Sequence, residues 1–172
     1  MSVNRCQKKS SVSEYENDLK STFDDASIQN FSISEPKISE PVMISYEVIK
    51  EDQSSDIIYL QPILVGSVKT NPFKREERIS VIDFPYSQNY KVISQISIPE
   101  GYTAELPDPM IVKLPDEKGQ FLYNISQAGN MISVISNLTV TGTDFGTNEY
   151  PALKAFFQMV ADKNQELIVL SK

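Results

Sequence analysis

The sequence predicts a mainly β fold: an antiparallel sandwich or barrel with one helix near the N-terminus and one near the C-terminus. Three observations predict it. Apolar and polar residues alternate with period two through most of the segments between residues 42 and 140. Pro, Gly and Asn signals recur between those segments, as turns in antiparallel sheets require. No stretch shows the strand–helix–strand rhythm of a parallel α/β fold.

The elements follow in chain order. Residues 1–10 read as a polar tail. Val12, Tyr15, Leu19 and Phe23 recur at helical spacing, and Ser13 with Glu16 forms a capping box, so a short amphipathic helix is expected over about 12–24. The run 27–42 carries two Glu-Pro steps, Glu35-Pro36 and Glu40-Pro41, and reads as an extended, irregular link. Val42, Ile44, Tyr46 and Val48 then alternate with Ser45 and Glu47, which describes a half-buried strand. The polar run Lys50 to Asp56 reads as a turn into a second strand, Ile57 to Leu60, so this pair is expected to form a hairpin.

Residues 66–87 read as a long surface connection. Tyr90, Val92, Ile96 and Ile98 resume the alternation, and Pro99-Glu100-Gly101 ends it. The prolines of LPDPMIVKLPDEKG suit edge strands and turns. Phe121, Tyr123 and Ile125 share one face. After the turn Ala128-Gly129-Asn130, Ile132, Val134, Leu138 and Val140 share another, which makes this the clearest hairpin of the chain. Pro151 suits a first helical position, and Leu153, Phe156, Phe157 and Val160 form a stripe at helical spacing, so a helix is expected over about 150–163. Leu167 to Leu170 make a last short strand. The domain division expected is a tail and linker helix over 1–26 and one β-rich domain over 27–172.

Composition narrows the function classes. With 172 residues, 40% of them hydrophobic, the chain is long enough for one real core. It contains no histidine and one cysteine, Cys6. Ser-His-Asp and Cys-His catalysis both need an imidazole to accept and return a proton, and zinc sites draw mostly on His and Cys. Neither a catalytic residue nor a metal site nor a cofactor is therefore expected. The formal net charge of −7 opposes nucleic acid and anionic membrane surfaces, and no apolar run is long enough to span a bilayer. The start, MSVNRCQKKSS, lacks the apolar segment of a secretory signal.

Carboxylates are the plentiful acid–base groups. The pairs Asp24-Asp25, Glu76-Glu77 and Asp116-Glu117 are sequence neighbours in turns. A glycosidase needs two carboxyls facing each other across a cleft, so a solvated surface explains these pairs better. Asp108, Asp116 and Asp144 lack the ordered spacing of a calcium loop. Gly142 to Gly146 has two glycines but no lysine to serve a phosphate loop. Asn30, Asn124 and Asn137 head three glycosylation tripeptides, a pattern common by chance. Tyr59, Tyr86, Tyr90 and Tyr102 could line a groove, although core packing explains them more simply. The tract NPFKREER stands out because it combines an aromatic with positive charge on an acidic chain. Phe73, Lys74, Arg75 and Arg78 are therefore the candidate binding residues, against the alternative of a solvated loop.

Several motifs carry a resemblance in their order and spacing: IIYLQPIL, NPFKREER, SIPEGYTAELPDP, GQFLYNISQAGNMISV, and NEYPALKAFFQMV followed by IVLSK. Together they resemble the C-terminal domain of unknown function that follows the transglutaminase-like core in large exported proteins of Bacteroidetes. The resemblance covers about residues 57–172, with a weaker match over 12–56. It implies a β-sandwich, immunoglobulin-like, with no chemistry of its own. The Cys-His-Asp machinery belongs to the preceding domain, and Cys6 has no histidine partner. It further implies an upstream transglutaminase-like catalytic domain in the same precursor as partner, and a place in the periplasm or cell envelope. The expected role is thus a non-catalytic accessory domain. An independent glycan- or peptide-binding module is the alternative, and a carboxylate-based hydrolase is a distant third.

Overall fold

The structure is a computed structural model that describes residues 26–35, 37, 40–50 and 55–172. The chain divides into two units between Ser54 and Ser55. The helix expected over 12–24, Cys6 and the Asp24-Asp25 pair lie outside the described residues.

In the first unit, β1 (Ala26–Ile33) pairs antiparallel with β2 (Ile44–Lys50). This corrects two expectations. Residues 26–33 are a strand rather than an irregular link, and the partner of β2 is β1 rather than the strand that follows it. The register shifts between Gln29 and Ser32, where Asn30 takes a positive φ of 51°. A bulge of this kind breaks the period-two pattern and hides the strand from a pattern reading. Ser32 and Ser45 share a hydroxyl–hydroxyl bond of 2.7 Å, and the Asn30 amide donates to Glu47 at 2.8 Å.

The second unit holds the remaining strands: β3 (Ile57–Leu60), β4 (Ile82–Asp83), β5 (Gln88–Ser97), β6 (Thr103–Glu105), β7 (Met110–Lys113), β8 (Gly119–Ala128), β9 (Met131–Val140), β10 (Asp144–Phe145) and β11 (Ile168–Ser171). Among the described residues all pairings are antiparallel, and no sheet closes into a barrel. A four-stranded sheet has the order β5-β9-β8-β7, and a three-stranded sheet the order β3-β11-β6. β4 and β10 form a short pair of their own. The β8–β9 hairpin matches Ala128 with Met131, and Gly129 supplies the positive φ of 60° that the tight turn needs. The prolines flanking β7 are tolerated because β7 is an edge strand.

The α-helix of the described residues is α1 (Tyr150–Lys163), C-terminal and with Pro151 in its first turn. It buries Leu153, Phe156, Phe157 and Val160, the stripe read from the sequence, together with Tyr150. These side chains join one core with Phe121, Tyr123, Ile132, Val134, Leu138 and Val140 from the inner face of the four-stranded sheet. Ile168 and Leu170 of β11 complete it, with Ile58 and Leu60 of β3 packed alongside. Pairing with β11 carries Ile58 and Leu60 to that core, which is why β3 joins a strand more than a hundred residues away. The three-residue 3₁₀ turn at Pro115–Glu117 leads into β8.

Candidate functional site

The tract singled out from the sequence is pinned at its start by Asn71, which is 7% exposed. Its side-chain oxygen accepts from the Phe73 backbone N–H at 2.9 Å. Its amide donates to the Lys154 carbonyl at 2.9 Å and to Gln158 Oε1 at 3.2 Å. This clamp turns Phe73 inward. Its ring meets Phe157, Tyr150 and Phe84 edge-to-face, at centroid distances of 5.1, 6.0 and 6.5 Å. Phe73 is thus a core residue, and the aromatic of the candidate contact is not on the surface.

Lys74 and Arg75 are exposed. The Arg75 carbonyl accepts from the Tyr150 hydroxyl at 2.6 Å and from Lys154 Nζ at 2.9 Å, so α1 holds the backbone while the side chain is free to project. Arg78 is half-buried, with its guanidinium 5.8 Å over the Tyr150 ring and its Nε enclosed without a partner. The structure therefore keeps the four residues in one anchored loop but divides their roles. Phe73 and Arg78 pack against α1 or the core, while Lys74 and Arg75 face solvent beside the exposed Glu76 and Glu77. The apolar groups this loop presents are Ile79, fully exposed, and Val81, 64% exposed. Single apolar residues in a polar stretch carry no period, so no pattern in the chain marks them.

Three other places hold polar groups together. Asn164, 1% exposed, accepts from Ser136 Oγ at 2.8 Å and donates to the Val68 carbonyl at 3.0 Å. Tyr123 is fully buried in the sheet, opposite Ser136, and its hydroxyl has no partner. Burial, with a smaller contribution from the Glu166 charge, pushes that phenol up to about 12. Lys163 Nζ sits 5.3 Å over the Tyr123 ring and pairs with Glu166 at 2.6 Å. Lys69, held low by burial, lies 3.5 Å from Gln61 Oε1.

The second place is a clasp at the start of α1. Lys118 Nζ donates to Glu149 Oε1 at 2.7 Å, and the Gly146 N–H donates to Glu149 Oε2 at 2.8 Å. The hydrogen bond from Lys118, then that from Gly146, hold the Glu149 carboxyl below its ordinary range. The same bond to Glu149 raises Lys118. The Glu149 carboxyl is displaced downward, and a general acid needs displacement in the other direction. The glycine pair Gly142 and Gly146 belongs to this clasp and to the β9–β10 connection, not to a phosphate cradle.

The third is a shallow hollow of about 420 Å³ between the turns after β5 and β8, lined by Ile98, Glu100, Tyr102, Gln127 and Asn130 among others. The Tyr102 hydroxyl already donates to the Ser55 carbonyl at 2.6 Å, and the Gln127 amide to the Gly129 carbonyl at 3.0 Å. Of the other tyrosines, Tyr59 and Tyr86 are exposed and Tyr90 is half-buried. Among the described residues no three His, Cys, Asp or Glu gather to hold a metal, and no helix is long and apolar enough to cross a membrane. Glu76-Glu77 and Asp116-Glu117 both lie on the surface.

Among the described residues, the second unit is a mainly antiparallel module with one core and a C-terminal helix, and this defines the class. The chain belongs to a family described as a domain of unknown function with a solved structure, DUF3858, whose model matches residues 56–170. None of the curated proteins matches it. Among solved structures it is similar to a crystal structure of a "putative protease" from Parabacteroides distasonis, with a TM-score of 0.51 and 16% identity, over 58% of this chain. The chain spans 20% of the length of that protein.

Proposed function

We propose that this chain is a non-catalytic accessory module, an immunoglobulin-like β-sandwich, that packs on and supports a transglutaminase-like cysteine enzyme core within a larger exported polypeptide of the periplasm or cell envelope. The observation that carries the reading is one of length. A similar fold recurs as one fifth of a longer chain described as a "putative protease", so a module of this kind occurs as part of a larger protein. The four- and three-stranded sheets contribute their inner residues to a shared core, as the two layers of a sandwich do. The alternative, a free-standing glycan- or peptide-binding module, has less support, because the polar groups of Tyr102 and Gln127 in the open hollow are already spent on backbone carbonyls.

The test uses the enzyme core encoded on the same polypeptide, expressed as a separate chain. A partner that binds only the folded core raises its melting temperature, by the equivalent of about 2.7 kcal/mol at a hundredfold excess over Kd. A clear rise on adding this chain is expected. An unchanged melt at high excess would sink the accessory reading.

A further inference from the structure

The outward face of the four-stranded sheet is unusual for this chain, and the strand register defines it. On β5 it carries Asn89, Lys91, Ile93, Gln95 and Ser97, and each faces a β9 residue in the register. On β9 it carries Met131, Ser133, Ile135, Asn137 and Thr139, paired in turn with β8 residues such as Asn124, Leu122 and Gln120. On β7 it adds Ile111, opposite Leu122, and Lys113, opposite Gln120. None of these outward positions is a carboxylate, although the chain carries 23 Asp and Glu against 16 Lys and Arg. Its charges are Lys91 on one edge strand and Lys113 on the other.

To one side of the line joining the lysines an apolar diagonal crosses the sheet. Ile93 faces Ile135 directly, Ile135 is diagonal to Leu122, and Leu122 faces Ile111. Ile93 is 58% and Ile111 65% exposed. Strand spacing and rise make the face roughly 15 Å wide, about 33 Å long on β5, β9 and β8 and about 13 Å long on the four-residue β7. At about 400 Å², that is about half of the roughly 800 Å² a standard interface takes from each partner.

We infer that this sheet face, rather than the 74–81 loop, is the docking surface of the chain, and that its occupant is the enzyme core of the same polypeptide, presenting an apolar patch rimmed by carboxylates. The inference rests on the accessory reading above. Two observations select this occupant. Charge complementarity asks for acidic groups opposite Lys91 and Lys113, where a second copy of the same face would set lysines and no acids against lysines. The solved relative carries this fold inside a chain five times the matched length, so the module has a large neighbour available in cis. The half-buried Asn137, whose Oδ1 is enclosed without a partner, lies on the same face between Lys91 and Leu122.

The experiment titrates the separately expressed core with the wild-type chain and with three variants, by calorimetry. Ile93→Asp and Ile111→Asp, both at exposed positions, are each expected to weaken binding at least tenfold. The loop variant Lys74→Glu/Arg75→Glu is expected to bind within twofold of wild type. On the wild-type protein, acylation of lysine amines read by mass spectrometry is expected to show Lys91 and Lys113 protected by the core and Lys74 not. Sheet variants that bind normally, or protection at Lys74 alone, would overturn the sheet face while leaving the accessory reading intact. A wild-type chain that does not bind the core at all would overturn both. Protection of Lys91 and Lys113 without the core, whether by self-association in sedimentation or by residues 1–54, would assign the face to another occupant and overturn the inference.

Discussion

Replacing Phe73 by alanine separates a core residue from a contact residue. The side chain is 7% exposed and stacks edge-to-face on three rings, so truncation removes nearly all of a phenyl group from the interior. Core Phe→Ala changes cost about 3–5 kcal/mol, the cavity included. The clamp from Asn71 and the bonds from Tyr150 and Lys154 to Arg75 restrain the loop from collapsing into the space. That argues against the lower end of the range, and about 4 kcal/mol is expected. For a unit of this size the loss corresponds to roughly 15 °C in melting temperature. The assay is urea unfolding followed by circular dichroism, with the slope compared to wild type so that a change in midpoint reads as a change in stability. A loss below about 1 kcal/mol would mean that Phe73 is not part of the core, and would return it to the surface role that the sequence suggested.

Two further outcomes follow from the polar groups. In the clasp, the lowered Glu149 carboxyl stabilises the folded state above the ordinary carboxylate value of 4.5. That contribution is lost as pH falls through its lower folded value. Glu149→Gln is therefore expected to melt below wild type at neutral pH and to converge with it under strongly acid conditions; a gap of constant size across that range would rule out the ion pair as its source. The Tyr123 hydroxyl is buried without a partner, so Tyr123→Phe is expected to change stability by less than about 1 kcal/mol, in either direction. Because its folded pKa of about 12 lies above the ordinary phenol value of 10.0, Tyr123 contributes stability below pH 10 that is lost as pH rises through 12. The phenylalanine variant should therefore lose less stability than wild type in that alkaline window. A loss above about 1.5 kcal/mol at neutral pH would show that the hydroxyl holds a partner such as a buried water.

Much of the second unit was legible because its signals are local. The β8–β9 hairpin needs only alternation on both sides of Gly129-Asn130, and α1 only Pro151 and a stripe at helical spacing. Both patterns record which side of an element meets the core, and that is fixed within a dozen residues. The partner of β3 was not legible in this way. The polar run before Ile57 looks like a hairpin turn, yet β3 pairs with β11, because only there do Ile58 and Leu60 reach the common core. β1 was hidden by the bulge at Asn30.

By itself, the sequence determined the mainly β class, the helix at 150–163, and the absence of histidine that removes imidazole chemistry. It also singled out the NPFKREER tract, but not the direction of its side chains. Charge and hydrophobicity are properties of composition, whereas burial is a property of distant partners. Only the tertiary structure decided that Phe73 points inward, because the rings that receive it come from Phe84, Tyr150 and Phe157. Likewise Ile93, Ile111, Leu122 and Ile135 are scattered in the chain. They become one acid-free face only when hydrogen bonding between strands fixes the register that lines them up.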